Sequence, residues 1–137
     1  MSKSTDKCPF CRENNLLRVK ILHEEELWYV VDMEEVSINN AVMAITNRHV
    51  EIPFQLNTNE WMALKPLLRK MKGLVDKKEK PDGYNLGWNI YKTGGQNVAH
   101  THLHLLGRYK DEHYAGKGIR YTFKQPENIR KSSKNKL

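Results

Sequence analysis

No stretch of the sequence approaches the ~20 consecutive apolar residues that a membrane-spanning helix needs. The opening, MSKSTDKCPF, is polar and lacks the apolar core of a secretory leader. These absences lead us to expect a soluble, cytoplasmic protein with no membrane partner. Cysteine is scarce: the chain has two, Cys8 and Cys11, in the run CPFC. In a cytosolic chain this spacing points to metal or redox chemistry rather than to a structural disulfide. A thioredoxin-type pair should follow a strand and open a helix, and no strand precedes this one, which argues against redox work. There is no GxxxxGK[ST], so no P-loop. There is also no internal repeat and no linker long enough to divide domains. The 137 residues suit one compact domain, large enough to bury a core without disulfides.

Acidic residues are outnumbered, 16 against 23 lysines and arginines, for a net charge of +7. This favours anionic partners such as nucleotides, although nucleic acid or simple solubility is also consistent with it. Residues 65–80 form one basic block, read as a solvated helix face. The other is 117–137, whose bases are Lys117, Arg120, Lys124, Arg130, Lys131, Lys134 and Lys136 against the single acid Glu127. We divide the chain into a catalytic domain, 1–116, and a basic extension, 117–137, whose end KSSKNKL is expected to be disordered.

Short runs rich in β-formers, 15–23 and 27–33, flank an acidic turn, and 41–46 is a third. Residues 57–78 read as a helix. Asn57 and Glu60 have capping-box spacing, and Trp61, Leu64, Leu67, Leu68, Met71, Leu74 and Val75 recur at helical intervals. Pro66 lacks a backbone donor and should kink that helix if it lies beyond the first turn. Strands at 84–91 and 99–108 follow. The order predicts an α+β domain: an antiparallel sheet of about five strands with one main helix packed on it.

Three of the six histidines fall at His100, His102 and His104. Strand side chains alternate with period two, so the three imidazoles share a face, with Cβ atoms roughly 6–7 Å apart. Such a row can ligate a metal, or do nucleophilic and proton-transfer chemistry at neutral pH. Just upstream, Gly94, Gly95 and Gln96 offer close-approaching backbone amides and a side-chain donor, a plausible phosphate cradle.

The run GGQNVAHTHLHLLGR, residues 94–108, resembles the signature of the histidine-triad (HIT) family, in its zinc-binding CxxC branch. The resemblance implies covalent catalysis, in which His102 attacks the α-phosphorus of a nucleoside phosphoramidate or dinucleoside polyphosphate. A nucleotidyl-histidine forms and is resolved by water or another acceptor. It implies that His104 and the neighbourhood of His100 brace the ring and the phosphate oxygens. Asn89, Gly95, Gln96 and Asn97 would lie along the phosphates, Asp32 on the ribose, and Pro9 and Phe10 against the nucleobase, with Val30 and Met33 as further candidates. A homodimer is implied in the same way.

The sequence departs from the family pattern at several points. Asn97 stands where many members carry serine or threonine, Asn40-Ala41 where a Gly-His pair is usual, and Thr46 where a proline is. The spacing from Asp32 to His49 is one residue long. The resemblance also implies structural zinc on Cys8, Cys11, His49 and His100, a set that suits a closed tetrahedral site. Two other readings remain: a basic zinc module binding nucleic acid, and a metal-dependent hydrolase with the histidine row as ligands.

Overall fold

A computed structural model describes residues 5–35, 37, 38 and 40–132. The expected architecture is present. Strands β1 (Ile21–Glu24), β2 (Trp28–Asp32), β3 (Ala41–Thr46), β4 (Gly83–Gly87) and β5 (His102–Arg108) form one antiparallel sheet ordered β1-β2-β3-β5-β4. Helix α1 (Thr58–Lys78) is the main helix. None of the described helices is long and apolar enough to cross a membrane. The segment KSSKNKL lies mostly outside the described residues.

Alternation sorts the sheet into two faces. Trp28, Val30, Val42, Ala44, Leu103 and Leu105 pack with Leu64, Leu67, Met71 and Val75 of α1. Tyr29, Val31, Met43 and Ile45 form a second cluster with Cys8, Phe10 and Cys11. The N-terminal segment thus covers the face that the helix leaves bare.

The helix begins where expected. Asn57 Oδ1 accepts from the Glu60 amide at 2.8 Å, and Glu60 Oε1 accepts from the Asn57 amide at 2.9 Å. This reciprocal cap satisfies two otherwise orphaned donors. Pro66 sits well inside the helix, on its exposed side. Glu60 is itself 1% exposed and pairs with Arg48, whose Nη2 and Nε reach its two carboxylate oxygens at 2.7 and 3.0 Å. Desolvation pushes this carboxyl up, but the Arg48 and Asn57 hydrogen bonds outweigh it, so the acid sits below its ordinary range. The pair ties the loop after β3 to the start of α1.

Two strands are shorter than their sequence pattern suggests. Residues 15–20 stay outside the ladder; Asn15 has φ +55°, and Leu17 and Val19 pack on the N-terminal cluster. β4 stops at Gly87, opposite His104, so residues 88–99 leave the sheet and pass ahead of β5. His100 consequently precedes β5 rather than lying within it.

Candidate functional site

His102 pairs with Ile45 and His104 with Met43 across the β3–β5 ladder. Cross-strand partners share a face, so both imidazoles lie on the face covered by the N-terminal segment, their ring centroids 5.0 Å apart. His102 is 6% exposed, and the Phe10 ring meets it edge-on at 5.0 Å. The Tyr29 hydroxyl donates to the Phe10 carbonyl at 2.7 Å and pins that residue in place.

His102 Nδ1 lies 2.7 Å from the His100 carbonyl oxygen. A carbonyl can only accept, so the ring proton sits on Nδ1 and the lone pair on Nε2. Burial pulls the His102 pKa down and outweighs this hydrogen bond, keeping the ring neutral near pH 7. Burial, helped by the charge of His102, draws His104 down to about 4. Its Nε2 is buried and has no hydrogen-bond partner among the described residues. His104 also lines a cavity of about 390 Å³ whose walls include Met33, Trp88, Asn89, Arg108 and Ile119. Pockets of this size are typical small-molecule sites.

A second constellation adjoins the first. Cys8 Sγ is 3.3 Å from His100 Nδ1, and Cys11 Sγ is 3.1 Å from His49 Nδ1 and 3.6 Å from His100 Nδ1. All four ligand atoms lie within 4.8 Å of one another and can hold a metal ion. With metal–sulfur bonds of ~2.3 Å and metal–nitrogen bonds of ~2.05 Å, a tetrahedral site has sulfur–nitrogen edges of roughly 3.6 Å, close to these distances. His100 Nε2 lies 2.8 Å from the Thr46 carbonyl, which fixes its proton there and turns the Nδ1 lone pair toward the thiols. Burial, then the neighbouring Cys8, pushes the Cys11 thiol up to about 12, so without a cation it stays protonated. His100 thus points toward the cysteines rather than joining His102 and His104, which argues against the row as one three-histidine metal site.

The pattern that decides the family is the alternating histidine strand on this sheet, and the HIT domain model matches residues 17–111. The chain belongs to the HIT domain family. Its fold is similar to that of a crystal structure from Streptococcus mutans UA159, at 24% identity and TM-score 0.71, covering 82% of this chain and 73% of that one. A hypothetical histidine triad nucleotide-binding protein from Sulfolobus tokodaii strain7 is 21% identical, with TM-score 0.69 and coverage of 77% and 71%. A HIT family hydrolase from Legionella pneumophila Philadelphia 1 is 25% identical, with TM-score 0.58 and coverage of 74% and 92%.

Within this HIT domain the remaining expected residues separate. Asn89 reaches the cavity, and Gly95, at φ +99°, packs against it: a Cβ there would lie 3.5 Å from the Asn89 side-chain carbon. Gln96 is not a free phosphate donor. Its Nε2 donates to the Glu51 and Val98 carbonyls and its Oε1 accepts from the Tyr91 amide, so the side chain braces the loop. Asn97 is exposed beside it, and Pro9 is half-buried in the N-terminal segment.

Asp32 is not brought to the cavity. It pairs with Val42, a residue of the helix-side core, and its Oδ1 accepts from the Glu34 amide. Val30 lies on that same helix side. Met33, one residue on, is the side chain that lines the cavity. The extra residue between Asp32 and His49 was the signal for this. Trp88, Arg108 and Ile119 went unassigned in the sequence, because a cavity wall drawn from three separate segments has no local pattern.

Proposed function

We propose that this HIT domain is a nucleotide hydrolase or nucleotidyl transferase in which His102 attacks the α-phosphorus of a nucleotide. The observation that carries the reading is the 2.7 Å contact between His102 Nδ1 and the His100 carbonyl, which leaves Nε2 with a lone pair. The phosphorus–nitrogen bond forms as the bond to the leaving group breaks, and water or another acceptor then releases the nucleotide. His104 Nε2, buried without a partner, and Asn89 are the side-chain groups available to the phosphate oxygens. Positioned donors of this kind are worth roughly 3 kcal/mol each where charge develops in the transition state. Substrate enters from the His104 side, where the cavity lies, and the Phe10 ring shields the other side of the nearly buried His102.

Zinc is the ion best suited to two thiolates and two imidazoles, and Cys8, Cys11, His49 and His100 would hold it. Bound there, its role is structural: it fastens the N-terminal segment carrying Phe10 to the start of the histidine strand.

The test is a nucleoside phosphoramidate labelled in the nucleotide, mixed with protein and quenched in alkali. Label should stay on the wild type and be absent from His102→Ala and His102→Gly. Undiminished turnover by His102→Ala defeats the assignment. Metal analysis should give about one zinc per chain; none at all removes the metal site.

A further inference from the structure

A second cavity, of about 370 Å³, lies beside the catalytic one in the basic extension. Lys117, Arg120, Tyr121 and Lys124 are among its walls. The two cavities share Asn85, Gly118 and Ile119 in their walls, so the cationic chamber adjoins the cavity that holds His104. Arg108 secures the segment that makes this junction. Its Nη1 donates to the Lys117 carbonyl, its Nη2 to the Tyr114 carbonyl and its Nε to the Glu112 carboxylate. These bonds occupy Arg108 with the protein itself. Lys117, Arg120 and Lys124 by contrast take part in no ion pair among the described residues. Lys117 Nζ stands 5.3 Å over the Tyr121 ring. Three cations without acidic partners in one concave site are an electrostatic sink for a compact polyanion.

Residue 97 bears independently on what that polyanion is. Asn97, exposed in the loop ahead of the histidine strand, has an amide side chain, which is not an acid. An amine leaving group must gain a proton as it departs. A phosphate leaving group need not, because the anion is stable at neutral pH. The amide at 97, where many family members carry a hydroxyl, and the cationic chamber beside the His104 cavity therefore favour the same departing group.

We propose that Lys117, Arg120 and Lys124 form a leaving-group subsite for a phosphate chain attached to the α-phosphorus that His102 attacks. The subsite rests on the reading of His102 as the nucleophile. In the step, the His102 Nε2 lone pair forms the bond to phosphorus. The bond from phosphorus to the bridging oxygen breaks, and its electron pair leaves with the phosphate chain, whose charge the three cations hold. Water then forms a new phosphorus–oxygen bond and gives up a proton to solvent, while the phosphorus–nitrogen bond breaks and its electron pair returns to the imidazole. The cations are gathered on one short segment, residues 117–124, beside the His104 cavity, which suits the end of a phosphate chain better than a nucleic-acid backbone, which calls for cations along an extended face.

The experiment uses the full chain and the triple variant Lys117→Ala/Arg120→Ala/Lys124→Ala. A control, Lys65→Ala/Lys70→Ala, removes charge from the outer face of α1. Inorganic tripolyphosphate binding is measured by calorimetry, independently of turnover. Exposed cationic contacts of a few tenths to one kcal/mol each sum to about a tenfold weaker dissociation constant in the triple variant. The ratio of kcat/KM for a nucleotide with a phosphate-chain leaving group to that for a nucleoside phosphoramidate should fall by a similar factor, and the control should keep both values. Unchanged tripolyphosphate binding overturns the subsite, as does an unchanged ratio. Loss of short-RNA binding without loss of tripolyphosphate binding also overturns it, in favour of a nucleic-acid face. If the wild type turns over neither substrate yet loses tripolyphosphate affinity only in the triple variant, the nucleophile assignment falls while the anion site stands.

Discussion

Replacing Glu60 by glutamine tests how the loop bearing His49 is held. The amide keeps an oxygen for the Asn57 backbone donor and nearly the same volume, but loses the charge that faces Arg48. Hydrogen bonds to charged groups contribute ~1.5–3 kcal/mol. The Arg48 side chain is 50% exposed, so solvent screening reduces the pair to about 1–2 kcal/mol. Unfolding entropy near 2.1 cal/mol/K per residue gives roughly 0.29 kcal/mol/K for 137 residues, so Tm should drop by about 3–7 °C. Glu60→Ala loses the reciprocal cap as well, for a total near 3 kcal/mol.

The assay is urea and thermal unfolding of a double-mutant cycle with Arg48→Ala, with an expected coupling of about 1 kcal/mol. The sign of the pH dependence follows from the lowered Glu60 pKa. The contribution is complete above the ordinary glutamate value near 4.3 and is lost as pH falls through the folded value. The gap between wild type and Glu60→Gln should therefore close in acid. A variant within ~0.3 kcal/mol of wild type at pH 7, or strictly additive single losses, would refute the argument.

Cys11→Ser should abolish stoichiometric metal and, with metal a thousandfold over its dissociation constant, remove up to about 4 kcal/mol of stability; full occupancy in the variant would contradict the cluster. Tyr29→Phe strands the buried Phe10 carbonyl and should cost about 1–3 kcal/mol by chemical denaturation. Phe10→Ala should speed modification of His102 by diethylpyrocarbonate several-fold, read by peptide mass spectrometry, since that ring covers it; an unchanged rate would show another route of access. His104 binds its proton more weakly folded, at about 4, than unfolded, near 6.5. Its share of stability is present above about pH 6.5 and declines as pH drops toward 4, and His104→Gln should flatten that part of the pH–stability curve.

The sheet, the helix and its cap were legible because periodicity and capping are local. Asn57 and Glu60, three residues apart, announced the helix start, and 41–46 matched β3 to the residue. The shared face of His102 and His104 was legible for the same reason, whereas His100 lies ahead of the strand and turns to the cysteines. The metal cluster was not readable from spacing, because Cys8 and His100 are 92 positions apart and meet only once the N-terminal segment folds over the sheet. Asp32 shows how sensitive such placement is to register: adjacent residues of an extended chain face opposite ways, so Asp32 lies on the helix side while Met33 lines the cavity. Gln96 had the right chemistry for phosphate, but backbone groups from three other residues claim its amide.

His100 contributes through two different parts of itself. Its imidazole faces the cysteines, and its main-chain oxygen orients the next histidine in the row. Alanine scanning at this position therefore reports on the ring alone, since every amino acid brings the same oxygen. Exchanging the amide that joins residues 100 and 101 for an ester weakens that oxygen as an acceptor, but also removes the Thr101 N–H that donates to the Val50 carbonyl at 2.6 Å. Only such main-chain chemistry, with the Val50 contact controlled for, separates the tuning of His102 from the anchoring of the N-terminal segment.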